Sequence, residues 1–297
     1  MIERLLDPAL LPTFINEHYQ KLPFALAGGA KDFVPLAGWD TIEAVLSKPN
    51  VDWLTVRKGE KVESRAPRSQ QDVKRLLNDG VTLVIRHAER HADSLAQLAE
   101  SFRDDFGGDV DVHIYCTPAD GFGFGWHYDA EEVFIIQTAG TKTYSLRKNT
   151  VNPWPVAETL PADMHYGAEI MPLLRCRLQA GDWLYIPSGY WHKGDAEHEA
   201  VSMAVGVKPL SGVDVFDFLR KEVLESLRWR QRLPILGRAA KYQDLSVEDR
   251  CHELFSELAS DLSQMFADGS LVGRFLEEFG DDRRRKIGEV GSLTSSR

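Results

Sequence analysis

Cysteine is scarce in this chain. Three of its 297 residues are cysteines, Cys116, Cys176 and Cys251, and no two form a C-x-x-C pair. That excludes a disulfide-built scaffold and a zinc ribbon, and it suits a reducing cytoplasm. Long apolar runs are missing too: nothing approaches the roughly 18 consecutive apolar residues of a membrane span. The start, Met1-Ile-Glu-Arg-Leu-Leu-Asp7, carries acids and no basic segment ahead of an apolar one, so no secretory leader is expected. Positive charge is in deficit. A formal net charge of −10 opposes indiscriminate binding to nucleic-acid phosphates, so no direct nucleic-acid partner is expected. The one basic cluster, Arg283-Arg-Arg-Lys286, reads as a solvated tail. There is no internal repeat and no low-complexity linker.

What is present divides by texture. The length suits one large domain with an appendage, or two modest domains. Helical spacing predicts helices over 39–46, 70–77 and 94–106, with a short buried strand at 24–27, strands at 51–57 and 81–85 and a polar loop over 58–69. From 109 to 207 short strands separated by turn signals replace helix, the mark of a sandwich or small barrel. Helix returns from Val213, with apolar stripes Phe216, Leu219, Val223, Leu227 and Leu254, Leu258, Leu262, Phe266. The expected division is therefore 1–210 as a β-rich domain with N-terminal decoration and 211–297 as a helical region for packing or homodimerisation.

The β region carries the chemistry. In Gly121-Phe-Gly-Phe-Gly-Trp-His127-Tyr-Asp129, an extended backbone sends residues 127 and 129 to one face, where they can grip one ion. A third ligand must come from another strand, and Gly181-Asp-Trp-Leu-Tyr-Ile-Pro-Ser-Gly-Tyr-Trp-His192 offers His192. Two histidines and one carboxylate on one face of iron leave positions open for substrate and oxygen. H-x-D alone is common by chance, so its surroundings decide its weight. Across 111–117 one face carries Val112, Ile114 and Cys116, the other Asp111, His113, Tyr115 and Thr117. Gly140 turns the predicted hairpin 133–147, and Lys142 shares a face with Tyr144 and Leu146. An inward lysine calls for an anion, because an unpaired buried ammonium is costly. On 200–207 the small residues Ala200, Ser202, Ala204 and Gly206 leave room for a cavity, while Val201, Met203, Val205 and Val207 fill a core.

These residues resemble the JmjC-type cupins, in particular the ribosomal-oxygenase-like branch of 2-oxoglutarate-dependent protein hydroxylases. The likeness runs over about residues 10 to 210. It is carried by Ile114-Tyr-Cys-Thr-Pro118, the metal motif Gly125-Trp-His-Tyr-Asp129, the 133–144 segment and the strand 181–192. The resemblance implies a mainly β fold with α, a double-stranded β-helix (jelly-roll or cupin) core with N-terminal α/β decoration and C-terminal helices. It implies Fe(II) on His127, Asp129 and His192, with 2-oxoglutarate and O2 as cosubstrates. Lys142 would pair with the distal carboxylate, and Tyr115, His113 and Ser202 would also bind the cosubstrate. Phe124, Trp126 and Tyr128 would meet a protein or peptide substrate. Trp126 stands where that branch commonly has proline, and the helical tail is shorter than the dimerisation region plus winged helix of larger relatives. The same chemistry on a small molecule, and a metal-holding cupin without catalysis, stay open as alternatives. A lysine demethylase is disfavoured, since nothing suggests a chromatin-reading module.

Overall fold

The computed structural model describes residues 1–150, 152–160 and 174–279. The basic run at 283–286 lies outside them. The chain divides into two compact units, Met1–Pro209 and Leu210–Arg297.

The first unit begins with two helical turns, α1 (Ile2–Leu5) and α2 (Leu11–Thr13), and strand β1 (Phe24–Leu26). Then come α3 (Trp39–Leu46), β2 (Asp52–Arg57), β3 (Glu60–Val62), α4 (Gln70–Asn78), β4 (Thr82–Arg86) and α5 (Asp93–Phe106). Seven strands complete it: β5 (Asp109–Thr117), β6 (Glu132–Ala139), β7 (Thr141–Arg147), β8 (Leu174–Gln179), β9 (Trp183–Ile186), β10 (Trp191–Ala196) and β11 (Ala200–Lys208). They form an eight-stranded sheet, β1-β9-β6-β11-β5-β4-β2-β3, and a three-stranded sheet, β10-β7-β8. This is the predicted cupin-type core, two sheets facing each other with helices outside.

Period-two alternation decides which side of each strand meets what. The outer face of the large sheet buries Val112, Ile114, Phe134, Ile136, Met203 and Val205 against Leu95, Leu98 and Phe102 of α5 and Ile42 and Val45 of α3. The inner face packs Val133, Ile135 and Leu184 onto Tyr144, Leu146 and Leu178 of the small sheet. The inner faces thus close an apolar floor and leave the small residues of β11 facing a cavity.

Three local expectations change. The predicted polar loop contains β3, which pairs with β2; Thr55 Oγ1 donates to the Val62 carbonyl at 2.6 Å. Strand β1 is not buried but a half-exposed edge that pairs with β9 alone. Most important, 133–147 is no hairpin. Gly140 makes the turn at φ +68°, but β6 joins the large sheet and β7 the small one. The chain crosses between sheets here, and that crossing carries Lys142 to the wall opposite β11. A Cβ at Gly140 would lie 2.2 Å from the Glu199 carbonyl oxygen. Gly140→Ala is therefore expected to lower stability by about 2 kcal/mol or more, read from urea unfolding, since left-handed strain and a backbone clash add. A loss under about 0.5 kcal/mol would show that the crossing can relax.

The second unit holds α6 (Gly212–Glu225), α7 (Val247–Ala267) and a further helical stretch over 269–279. Its packing departs from the predicted stripes. Helix α6 ends before Leu227 and buries Phe218 and Leu219 with Leu271, while Phe216 and Leu227 are 64% and 78% exposed. Val215 joins Phe218 and Leu219 in a 3–4 spacing, so the packed face is rotated from the expected one. On α7, Leu262 and Met265 join this cluster and Phe266 is exposed.

Candidate metal centre and its cavity

The glycine-rich run lies along the free edge of the small sheet. Ala196 N donates to the Gly121 carbonyl at 2.8 Å, and Phe122 bridges Asp195. Further along, His127 N donates to the His192 carbonyl at 3.1 Å and His192 N to the His127 carbonyl at 2.8 Å. This reciprocal pair sets the two imidazoles side by side, ring centroids 4.2 Å apart. His127 Nδ1 donates to the Gly125 carbonyl at 2.9 Å, and His192 Nδ1 to that of Tyr190 at 3.0 Å. A carbonyl only accepts, so each proton sits on Nδ1 and each Nε2 carries a lone pair of the kind that ligates a metal. Both Nε2 atoms face Asp129 Oδ2, at 3.8 Å for His127 and 3.4 Å for His192.

That donor set fits a divalent metal. Bonds of about 2.1 Å at right to tetrahedral angles place donors roughly 3.0–3.4 Å apart, close to what is found. Burial first, and His127 next to it second, push the His192 pKa down to about 4. The ring is thereby kept neutral, the form that ligates.

A buried acid holds the ligands' framework. Glu132 accepts a hydrogen bond from the Tyr185 hydroxyl and another from Ser188 N at 3.4 Å. Gly189 N donates to the Asp129 carbonyl at 2.8 Å. The 187–190 loop leading to His192 is thus tied to the segment that carries Asp129.

The triad opens into a cavity between the sheets of about 540 Å³, counting its open mouth. Lys142, Ser202, Tyr115 and Phe124 share its wall with the triad. Lys142 is 5% exposed; its Nζ donates to Ser202 Oγ at 2.9 Å and lies 5.7 Å from the centre of the Tyr115 ring. Burial pulls its pKa down to about 8, against a smaller opposing pull from Cys116. Among the described residues no carboxylate pairs with it. The cavity therefore presents one buried cation at its closed end and three metal-type donors nearby, a shape for a small dianion.

Of the residues singled out in the sequence, Tyr115, Phe124, Lys142 and Ser202 come together with the triad. Trp126, Tyr128 and His113 do not line the cavity. Trp126 is partly buried, and Tyr128 packs edge-on against Trp191 at 4.8 Å. Alternation accounts for both: if 127 and 129 face inward, 126 and 128 face away. His113, its pKa pushed down to about 4 by burial, groups with His87 and Asp111 instead. Sequence reasoning missed Thr117 and Gly194 in the wall. A Cβ on Gly194 would lie 2.8 Å from Tyr144 Cε1, so glycine there lets the Tyr144 ring lie flat.

Two facing antiparallel sheets around an H-x-D…H donor set give the chain a cupin-type architecture. Residues 84–215 match the family described as the JmjC domain. Among curated proteins it is 27% identical over 206 residues to the ribosomal protein uL16 3-hydroxylase of Escherichia coli, covering 66% of this chain and 52% of that protein. It is 25% identical over 252 residues to ribosomal oxygenase 1 of Gallus gallus, 78% of this chain and 41% of the relative. A third relative, the bifunctional lysine-specific demethylase and histidyl-hydroxylase NO66 of Drosophila persimilis, is 24% identical over 79% of this chain and 36% of its own length. The chain thus spans between about a third and a half of these relatives. In fold it resembles the solved ribosomal oxygenase YcfD of Escherichia coli in complex with cobalt and 2-oxoglutarate, with a TM-score of 0.59, 22% identity, and coverage of 91% of this chain and 70% of that one.

Proposed function

We propose that this chain is an Fe(II)- and 2-oxoglutarate-dependent oxygenase that hydroxylates a protein or peptide side chain. The observation that carries the proposal is the buried Lys142 in the same cavity as the triad, since a metal store has no use for an enclosed cation. His127, Asp129 and His192 would hold the metal. Lys142 and Ser202 would take the distal carboxylate of 2-oxoglutarate, with the Tyr115 ring packed beside it. With O2, the bound metal and keto acid supply oxidative decarboxylation to succinate and CO2 coupled to oxygen insertion into a C–H bond. The apolar inner faces of β6 and β9 keep water from the closed end, and Phe124 stands at the cavity wall where a side chain would enter. A protein substrate is supported by the relatives, which are named as ribosomal oxygenases and a ribosomal protein hydroxylase.

The test is coupled turnover. The chain with Fe(II), 2-oxoglutarate and a pool of cellular peptides should release succinate and add one oxygen atom to a peptide. Oxygen added only in a metabolite pool would move the substrate class to small molecules. Metal binding with no succinate would leave a non-catalytic cupin.

We also infer that the second unit pairs with a second copy of this chain. Its helices leave Phe216, Leu224, Phe255, Phe266, Val272 and Leu276 more than half exposed, apolar area that a monomer rarely leaves open. Light scattering should give twice the chain mass, and a monomer at micromolar concentration would refute the pairing. The setting we infer is the cytoplasm: the three cysteines are unpaired, and among the described residues no helix is long and apolar enough to cross a membrane.

A further inference from the structure

A second group of metal-type donors stands apart from the triad and shares no residue with it. His87, Asp111 and His113 each offer one ligand atom, and these atoms all lie within 4.8 Å of one another. The grouping follows from the sheet. Asp111 and His113 are alternate residues of β5 and share its inner face. Strand β4 pairs with β5, Ile85 opposite Ile114, and His87 follows its last residue. The backbone at His87 turns left-handed, φ 51° and ψ 42°, where the chain leaves the strand. The result is His87 Nδ1 at 2.9 Å from Asp111 Oδ1, with the His113 ring edge-on to that of His87 at 5.5 Å.

Two further observations point to an ion. His113 Nε2 is buried with no hydrogen-bond partner, a state that native proteins rarely leave uncompensated. The surroundings are acidic on balance. Asp52 Oδ2 lies 4.0 Å from His87 Nε2 and Glu89 Oε1 3.7 Å from His87 Nδ1. Glu131 lies 3.6 Å from Lys208 Nζ. With Asp111 these four carboxylates face three cations, Lys208, Arg86, paired with Asp52 at 2.6 Å, and Arg90, 3.5 Å from Glu89 Oε1. Lys208 does not block the donors. Its Nζ holds Asp111 Oδ2 at 2.7 Å, which leaves Oδ1 to the imidazoles, the outer-shell support that ligating carboxylates ordinarily have.

We propose that His87, Asp111 and His113 form a second site for a divalent metal of the Zn(II) type, separate from the His127–Asp129–His192 centre. Two imidazoles and one carboxylate suit a borderline d-block ion rather than calcium or magnesium. Binding displaces the proton shared between His87 Nδ1 and Asp111 Oδ1 to solvent. The ion supplies the partner that His113 Nε2 lacks, and Glu89 Oε1 and water are available for the remaining positions. It staples the end of β4 to β5, beside the inner face of the large sheet.

Counting bound metal tests this. The whole chain is stripped with chelator, given Zn(II) alone, desalted and analysed for metal, with circular-dichroism melts as the check on folding. Two zinc ions per chain are expected in the wild type. One should remain in the Asp129→Ala/His192→Ala variant, one in Asp111→Asn/His113→Gln, and none when all four changes are combined. A single ion in the wild type overturns the proposal, as does none in a triad variant that melts like the stripped wild type. Asp111 also anchors Lys208, so its loss could unfold the chain. In that event His113→Gln alone decides. The second ion should be lost or bound at least about 10-fold more weakly, whereas two ions held as in the wild type overturn the site.

Discussion

Asp129→Ala is expected to reduce succinate release to background and to weaken Fe(II) binding by more than about 100-fold. The magnitude follows from its position. Outer partners of metal ligands already cost about 10- to 100-fold when removed, and Asp129 is itself the carboxylate that both Nε2 atoms face. Without it the two imidazoles keep their backbone anchors, so the fold should survive. Urea unfolding of the stripped variant is expected within about 1 kcal/mol of wild type, because the side chain is 37% exposed. Turnover retained in this variant would sink the metal assignment.

Lys142→Met should move stability and binding in opposite directions. In the free protein the buried ammonium is a penalty: its pKa is drawn down from 10.5 to about 8 by burial. The folded chain therefore binds fewer protons than the unfolded chain between those values. The penalty is fully present below about pH 8 and lifts as pH rises toward 10.5, so stability climbs across that window. Its size is on the order of 3 kcal/mol, offset by about 1 kcal/mol for the lost bond to Ser202. Methionine removes the charge at similar length, so the free variant should be about 1–3 kcal/mol more stable at pH 7 and lose the alkaline rise. Its affinity for 2-oxoglutarate should fall roughly 100- to 1,000-fold, the cost of leaving a buried charge unpaired. Calorimetric titration and urea melts at pH 7 and 9.5 read both. Unchanged 2-oxoglutarate affinity would remove Lys142 from the cosubstrate site.

How far the sequence could be read depended on the range of the interaction. Face assignments on β5, β7 and β11 follow from alternation within one strand, a local property, and they placed Lys142 inward beside Tyr144. The same alternation could have told that Trp126 and Tyr128 turn away from the ligands between which they stand. Sheet membership is not local. Gly140 announces a turn, but only the pairing of β6 with β9 and β11, and of β7 with β8 and β10, shows that the chain changes sheets there. The His87 group needed the same knowledge: nothing in the spacing joins it to Asp111 until β4 is laid beside β5. The C-terminal stripes held only in part, Leu219 and Leu262 packing while Phe216, Leu227 and Phe266 stay exposed, because several apolar faces compete on α6 and the one that packs is chosen by Leu271 and Phe275.

The reciprocal bonds between the main chains of His127 and His192 bear on how an ion enters and leaves. Both rings are fastened at two points, through the amide ladder and through Nδ1, before any metal arrives. Their conformational freedom is surrendered on folding, so capture of the ion has little ordering left to do. The carboxylate is the one member of the trio on the open side. Dissociation should therefore start with Asp129 swinging outward on a fixed pair of imidazoles, a hinged third finger against two rigid ones. The lifetime of the bound ion is then set by what lies over Asp129 at the mouth, and a substrate seated there would slow metal loss.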